Sequence, residues 1–380
     1  VPELVEQLLA AACRAGASDV HLLPDPAGLH MLWRIDGVLQ PIAVFPPELS
    51  SRIIGRLKVL ARLLTYQNDV PQEGRIQDGS RDLEMRVSTF PTLHGEKVVV
   101  RLFVGSGRYC TLRELGLAPE ILETLRRLLQ ETGGVILLTG PAGSGKTTTI
   151  YACLRELVGT APTHRSLVTL EDPIEAVVAG VSQSQVNLVA GFDMPTGLRS
   201  LVRQDPDVLM VGEIRDRATA ETVFQASLTG HLVLTTFHAG SAAATISRLS
   251  DMGIEPYLLR SGVLGIICQR LLRRLCECAE SSDDPAGRLG LPVERYRLPV
   301  GCAQCGGTGY HGRFSIAEML LPEPSELGRA ILSRSDAAQL EELAVQAGMI
   351  TRWRRAAAAI RDGWTSPAEV RRVLGFTSGH

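Results

Sequence analysis

Apolar positions change their period several times along the first hundred residues. Leu4, Val5, Leu8, Leu9 and Ala12 recur at helical spacing over 3–15, with Gly16 as a C-cap. Short alternating segments over 20–23, 29–35 and 38–44 predict strands, the last two joined at Asp36-Gly37, a hairpin signal. A helix over 47–64 follows, then strands near 83–88 and 97–104, so that residues 1–104 form a small α+β domain. Gly105-Ser106-Gly107 interrupts the pattern and predicts a hinge within a linker over 105–111.

From Leu112 the period changes again. Helical segments alternate with short apolar runs at 135–138, 167–170, 208–211 and 232–235, which predicts a mostly parallel sheet with crossover helices over 112–270. Ligands of such sheets lie outside the carboxyl ends of the strands. A cysteine-bearing segment over 271–317 comes next, and helical patterns dominate over 318–380, broken at Gly348 and Gly363.

The chemistry sits where the strands end. After the first run come Gly140, Pro141, Ala142, Gly143, Ser144, Gly145, Lys146, Thr147 and Thr148. Strand, glycine loop and helix is the context in which GxxxxGK[ST] cradles phosphate: backbone N–H groups converge on the anion and the helix N-terminus adds partial positive charge. Lys146 then reaches the β- and γ-phosphates of ATP, and Thr147 ligates Mg2+. Glu171 closes the second strand, Glu213 and Arg215 follow the third, and His238 follows the fourth, giving candidate water-activating, Mg2+-holding and γ-phosphate-bonding groups. Arg199 and Arg203 stand four apart in a helical pattern over 198–204. They predict either phosphate neutralisation, on this chain's nucleotide or a neighbouring subunit's, or a solvated basic face.

Cys276-Glu-Cys278 and Cys302-Ala-Gln-Cys305 form two close pairs, and four thiolates so spaced predict a Zn2+ clip, with His311 as a substitute ligand. The first pair is one residue short of the usual spacing. Arg352, Arg354, Arg355 and Arg361 form a basic run whose ordinary reading is a solvated face. Lys and Arg total 39 against 41 Asp and Glu, a net charge of −2, so no whole-chain field draws nucleic acid or anionic lipid. No apolar stretch approaches a membrane span and no signal-peptide pattern opens the chain, which predicts a cytosolic protein.

The order of these boxes resembles the secretion-superfamily ATPases that power type II secretion and assemble type IV pili, from about Ala17 to about Val373. ASDVH from Ala17, RIDGVL from Arg34, QEGRI from Gln72 and RVSTFPTLHGEKVVVRL from Arg86 look like the family's N-terminal domain. GPAGSGKTTT, TLEDPIE, RQDPDVLMVGEIRD and TGHLVLTTFHAGSA follow in family order. The resemblance implies a PAS-like N-terminal domain, a RecA-like P-loop core, a zinc loop and a helical C-terminal region. It also implies a homo-hexamer that binds ATP between its lobes and at subunit boundaries.

Carried over by position, Glu171 is the catalytic base, Glu213 the Walker B acid, and His231 and His238 the histidine-box pair. Arg86, Arg101, Arg199, Arg203 and Arg215 stand around the triphosphate. The implied work is driving an inner-membrane platform protein from the cytoplasmic face of the bacterial inner membrane. Relatives usually begin with a further domain that docks to the platform. The start at Val1 rather than methionine fits a trimmed chain, and docking through another surface is the other reading. A nucleotide-gated scaffold without hydrolysis is opposed by the acids and histidines in place, a nucleic-acid translocase by the near-neutral charge, and the pilus-retraction branch by the cysteine loop.

Overall fold

The computed structural model describes residues 1–78, 83–102, 111–160, 165–322 and 326–376. The chain divides into two compact units, Val1–Ser106 and Gly107–His380. The glycine-serine stretch expected as a hinge lies outside the described residues.

In the first unit, α1 (Pro2–Arg14) precedes β1 (Asp19–Asp25), β2 (Gly28–Ile35) and β3 (Val38–Phe45). Helix α2 (Pro47–Leu60), β4 (Gln72–Asp78), β5 (Leu83–Thr92) and β6 (Gly95–Leu102) follow. The strands make one antiparallel sheet in the order β3-β2-β1-β6-β5-β4. Asp36 and Gly37 both take positive φ, the two-residue turn that matches strand twist. Val5, Leu9 and Ala12 of α1 and Ile53, Ile54 and Leu57 of α2 share a core with Val20, Leu22, Val87, Val98 and Val100 of the sheet. Strand β4 was not anticipated, because Gln-Glu-Gly-Arg-Ile-Gln-Asp lacks an apolar alternation. It forms an edge of the sheet, where one neighbour suffices.

The second unit runs α3 (Pro119–Leu128), β7 (Gly134–Thr139), α4 (Lys146–Thr160), β8 (Leu167–Glu171), β9 (Ser182–Gln185), α5 (Met194–Leu201), β10 (Val208–Val211), α6 (Arg217–Leu228) and β11 (Leu232–Phe237). It continues through α7 (Ala242–Asp251), α8 (Pro256–Gly262), β12 (Val263–Leu275), the ribbon β13 (Glu280–Ser282) and β14 (Tyr296–Leu298), and β15 (Tyr310–Leu320). Helices α9 (Glu326–Leu332), α10 (Ala337–Gln346), α11 (Arg352–Arg361) and α12 (Pro367–Leu374) complete it. The sheet order is β15-β12-β7-β11-β10-β8-β9, parallel throughout except for β12 against β15. Successive residues of β7 enter opposite cores, Val135 and Leu137 on one face, Ile136 and Leu138 on the other. A strand covered on both faces needs an unbroken apolar run, and for that reason 135–138 was legible.

Strands β12 and β15 lengthen this sheet beyond the four runs seen in the sequence, and they carry the cysteine segment between them. Gln269, Arg270, Arg273 and Arg274 disguise β12 as polar chain. The expected helix over 198–204 differs as well: α5 stops at Leu201 and a single 3-10 turn, Val202–Gln204, follows. Arg199 and Arg203 are therefore not stacked one helical turn apart, and both are exposed.

Candidate functional site

Because β7, β8, β10 and β11 are parallel neighbours, their carboxyl ends share one edge of the sheet. Thr139 pairs with Phe237, and Val211 with both Thr235 and Leu170, so Gly140, Glu171, Glu213 and His238 leave that edge together. The loop from Gly140 to Gly145 then turns into α4. A Cβ on Gly140 would sit 2.6 Å from the Gln269 carbonyl and 2.6 Å from Ser144 Oγ, at a φ of +140° that L side chains avoid. Glycine is required there by space and by dihedral.

Lys146 is buried, and its Nζ donates to the carbonyls of Gly140 (2.8 Å) and Pro141 (3.0 Å), across the mouth of the loop. Burial lowers its pKa below 10.5, Glu213 opposes this, and Arg270 adds to it. Ser144 Oγ is buried in the loop without a partner among the described residues. Thr147 and Thr148 occupy the first turn of α4, half-buried.

Facing the loop, Glu213 Oε2 lies 3.3 Å from His238 Nε2, and Arg215 pairs with Glu213 and, at 3.5 Å, with Asp172. Desolvation and then the Lys146 ammonium hold His238 below its ordinary 6.5, against the pull of Glu213. At neutral pH its imidazole is uncharged, able to accept or donate one hydrogen bond. Arg248 stacks over Phe237, 5.3 Å from the ring centroid, and donates to the His238 carbonyl, fixing the backbone that carries the imidazole.

Glu171 is 3% exposed and its carboxylate takes three side-chain donors. Tyr151 Oη donates to Oε2, while Thr169 Oγ1 (2.7 Å) and Gln183 Nε2 (3.0 Å) donate to Oε1. The sequence reading missed Tyr151, Thr169 and Gln183. A tyrosine among the apolar residues Ile150, Ala152, Cys153 and Leu154 needs a partner for its hydroxyl, and that was the available signal. It also missed Arg270, buried on β12, which donates to the carbonyls of Gly240 (2.7 Å) and Gln269 (2.8 Å).

The remaining sequence candidates are placed elsewhere. His231 precedes β11 at the other edge of the sheet, about 20 Å from His238 along the strand. Its Nδ1 lies 3.0 Å from the Ala226 carbonyl and 3.1 Å from Thr229 Oγ1, at the end of α6. The structure therefore does not bring the two histidines together. Arg199 bonds Thr196 Oγ1 at 3.3 Å on the surface of α5. Arg86 and Arg101 belong to the first unit, where they pair with Glu73 (2.5 Å) and Asp19 (3.1 Å). The C-terminal basic run is divided: Arg352 pairs with buried Glu318 and Arg355 with Glu120, whereas Arg354 and Arg361 are exposed, as a solvated face requires.

Cys276, Cys278, Cys302 and Cys305 converge, with all four sulfurs within 4.8 Å of one another. Three of the separations are 3.8 Å (276–302), 4.0 Å (278–305) and 3.8 Å (302–305). Four thiolates at about 2.3 Å from one tetrahedral ion stand about 3.8 Å apart, so the cluster fits such an ion. The short Cys276-x-Cys278 spacing is no obstacle, because each of its sulfurs meets one from the other pair. Desolvation raises the Cys305 thiol, but the N–H groups of Cys302 and Gly309, with the neighbouring thiols, outweigh it and bring it down to about 6. Gly301 is needed for the turn: a Cβ there would lie 2.5 Å from the Gly307 carbonyl.

Comparison with known proteins gives this arrangement its context. The model of the type II/IV secretion system protein family matches residues 1–372. The chain is 43% identical over 329 residues to the type II secretion system ATPase E of Vibrio cholerae, covering 84% of this chain and 65% of that protein. It is 38% identical over 360 residues to the type IV pilus assembly ATPase PilB of Thermus thermophilus, covering 92% of this chain and 40% of that one. Thus it spans less than two thirds of either relative. In fold it is similar to the ATPase DotB of Legionella pneumophila, with a TM-score of 0.71 at 20% identity over 98% of this chain and 95% of the other. The chain belongs to the type II/IV secretion system protein family.

Proposed function

We propose that this chain is the Mg2+-dependent ATPase of a machine for type II secretion or type IV pilus assembly. One observation carries the reading. Lys146, Glu213, His238 and Arg215 meet at the sheet edge where the glycine loop opens, with His238 Nε2 3.3 Å from Glu213. Relatives named for secretion and for pilus assembly supply the biological setting.

In this reading the RecA-like core binds the phosphates through the N–H groups of Gly143 to Thr147 and the Lys146 ammonium, which leaves the two carbonyls for phosphate oxygens. Thr147 and Glu213, hard oxygen donors, would hold Mg2+, which when bound neutralises charge on the β- and γ-phosphates. Glu171 has one lone-pair direction free of protein donors and takes the proton of the attacking water, while the bond from Pγ to the ADP oxygen breaks. Neutral His238 donates to the γ-phosphate. Arg215 and, from another copy in a hexamer, Arg86, Arg101, Arg199 and Arg203 complete the enclosure. The four cysteines would hold Zn2+ as a structural clip between β12 and β15. Among the described residues no helix is long and apolar enough to cross a membrane; in this account the chain works against an inner-membrane platform protein from the cytoplasmic face.

The test is phosphate release by the purified chain at saturating Mg-ATP. Turnover should exceed buffer and fall about 100-fold or more in Glu171→Gln with folding intact. Wild-type turnover in that variant would remove Glu171 from the base position.

A further inference from the structure

The hydrogen bonds of Tyr151 have a direction. Its phenol oxygen accepts the backbone N–H of Glu175 at 3.1 Å and of Ala176 at 3.4 Å. An oxygen that faces two donors must spend its own proton elsewhere, and the carboxylate of Glu171 is the acceptor in reach. The hydroxyl is thus a junction. It ties α4, whose first residue is Lys146, to Glu171 at the end of β8 and to the loop that follows it.

Tyr151 is 2% exposed, so water does not substitute for any of these partners. Burial first, and then the bond and charge of Glu171, push the phenol well above its ordinary 10, which keeps it a donor at every working pH. The other oxygen of Glu171 is held by Thr169 of the same strand and by Gln183 of β9. Among the described residues only the Tyr151 bond connects the carboxylate to the helix that carries the phosphate loop.

We propose that Tyr151 is a positioning residue for Glu171, coupling the aim of that carboxylate to the seating of α4 and its phosphate loop. The inference rests on Glu171 being the base. A shift of α4 as the loop closes on phosphate moves the phenol, and the phenol carries the carboxylate and the backbone of Glu175 and Ala176 with it. Loss of the hydroxyl leaves nucleotide binding in place and lets the carboxylate turn away from the water it must orient, because a misplacement near 1 Å costs about 100-fold in rate.

The experiment is a double-mutant cycle of Tyr151→Phe and Glu171→Gln in the full chain, with kcat normalised to the number of ADP-binding sites so that unfolded protein does not count. Tyr151→Phe should lower kcat about 10-fold or more, with KM for ATP and affinity for ADP within about 3-fold of the parent. In the Glu171→Gln background the same change should alter single-turnover rate less than about 2-fold, because the group it acts through is gone. A purely structural tyrosine would instead lower the number of ADP sites by the same factor in both backgrounds. That result, or a Tyr151→Phe variant with parental kcat, overturns the proposal. Parental turnover in Glu171→Gln overturns it too, and takes the base assignment with it, so the two failures are told apart.

Discussion

Replacing Glu318 by alanine removes a carboxylate that solvent does not reach and that two helices share. Its Oε1 accepts the N–H of Ala242 at 2.9 Å, at the start of α7. Its Oε2 accepts the N–H of Arg352 at 3.1 Å, at the start of α11, and Arg352 Nη1 lies 2.9 and 3.0 Å from the two oxygens. The side chains are 0% and 16% exposed. Alanine leaves a nearly buried guanidinium without its acid and two helix-end N–H groups without an acceptor. Removing one partner of a buried pair costs about 3–5 kcal/mol.

In a unit of this size each kcal/mol moves the midpoint by about 2–4 °C, so the melt should fall by about 6–20 °C. Differential scanning fluorimetry of the purified chain reads this. Glu318→Ala with Arg352→Ala should melt above Glu318→Ala alone, since the stranded charge has gone. A single variant within about 2 °C of the parent would refute the reasoning, because it would mean that water already satisfies these groups.

Two other outcomes follow from groups outside the nucleotide site. Metal analysis of the purified chain should find about one zinc per chain, lost in Cys302→Ser together with part of the thermal stability; metal-free protein with an unchanged melt would contradict it. Glu369 is fully buried, and although burial raises its carboxyl, Arg372 and Arg273 outweigh burial and hold it below the ordinary 4.5. The folded value being the lower, its stabilisation is complete above the unfolded value and disappears as pH falls through the folded one. Glu369→Gln should therefore melt well below the parent at pH 7 and close to it under strongly acidic conditions; a gap independent of pH would argue against the ion pairs as its source.

The central strands and the phosphate loop were legible because their constraints are local. A strand buried on both faces must be continuously apolar, and position 140, where a Cβ would lie 2.6 Å from the Gln269 carbonyl, must be glycine. The acids and the imidazole could be placed because parallel strands deliver their ends to one edge. Strand β12 was hidden, since its polar residues are matched by partners far along the chain: Gln269 with Thr149, Arg270 with Gly240, Arg273 with Glu369. The same holds for the basic run in α11, whose Arg352 and Arg355 look solvated until Glu318 and Glu120 fold against them. His231 and His238 stand on one strand in sequence, yet opposite strand ends face opposite edges, and periodicity alone does not say which edge carries the chemistry.

The account turns on the phosphate loop acting together with the groups that face it. Phosphate release from Mg-ATP by the folded Lys146→Ala chain, beside the parent, is the most direct test. We expect measurable turnover in the parent and none above buffer in the variant, whose melt stays near that of the parent because, among the described residues, the ammonium bonds only to the loop it spans. Equal turnover in the two proteins would place hydrolysis somewhere other than this loop.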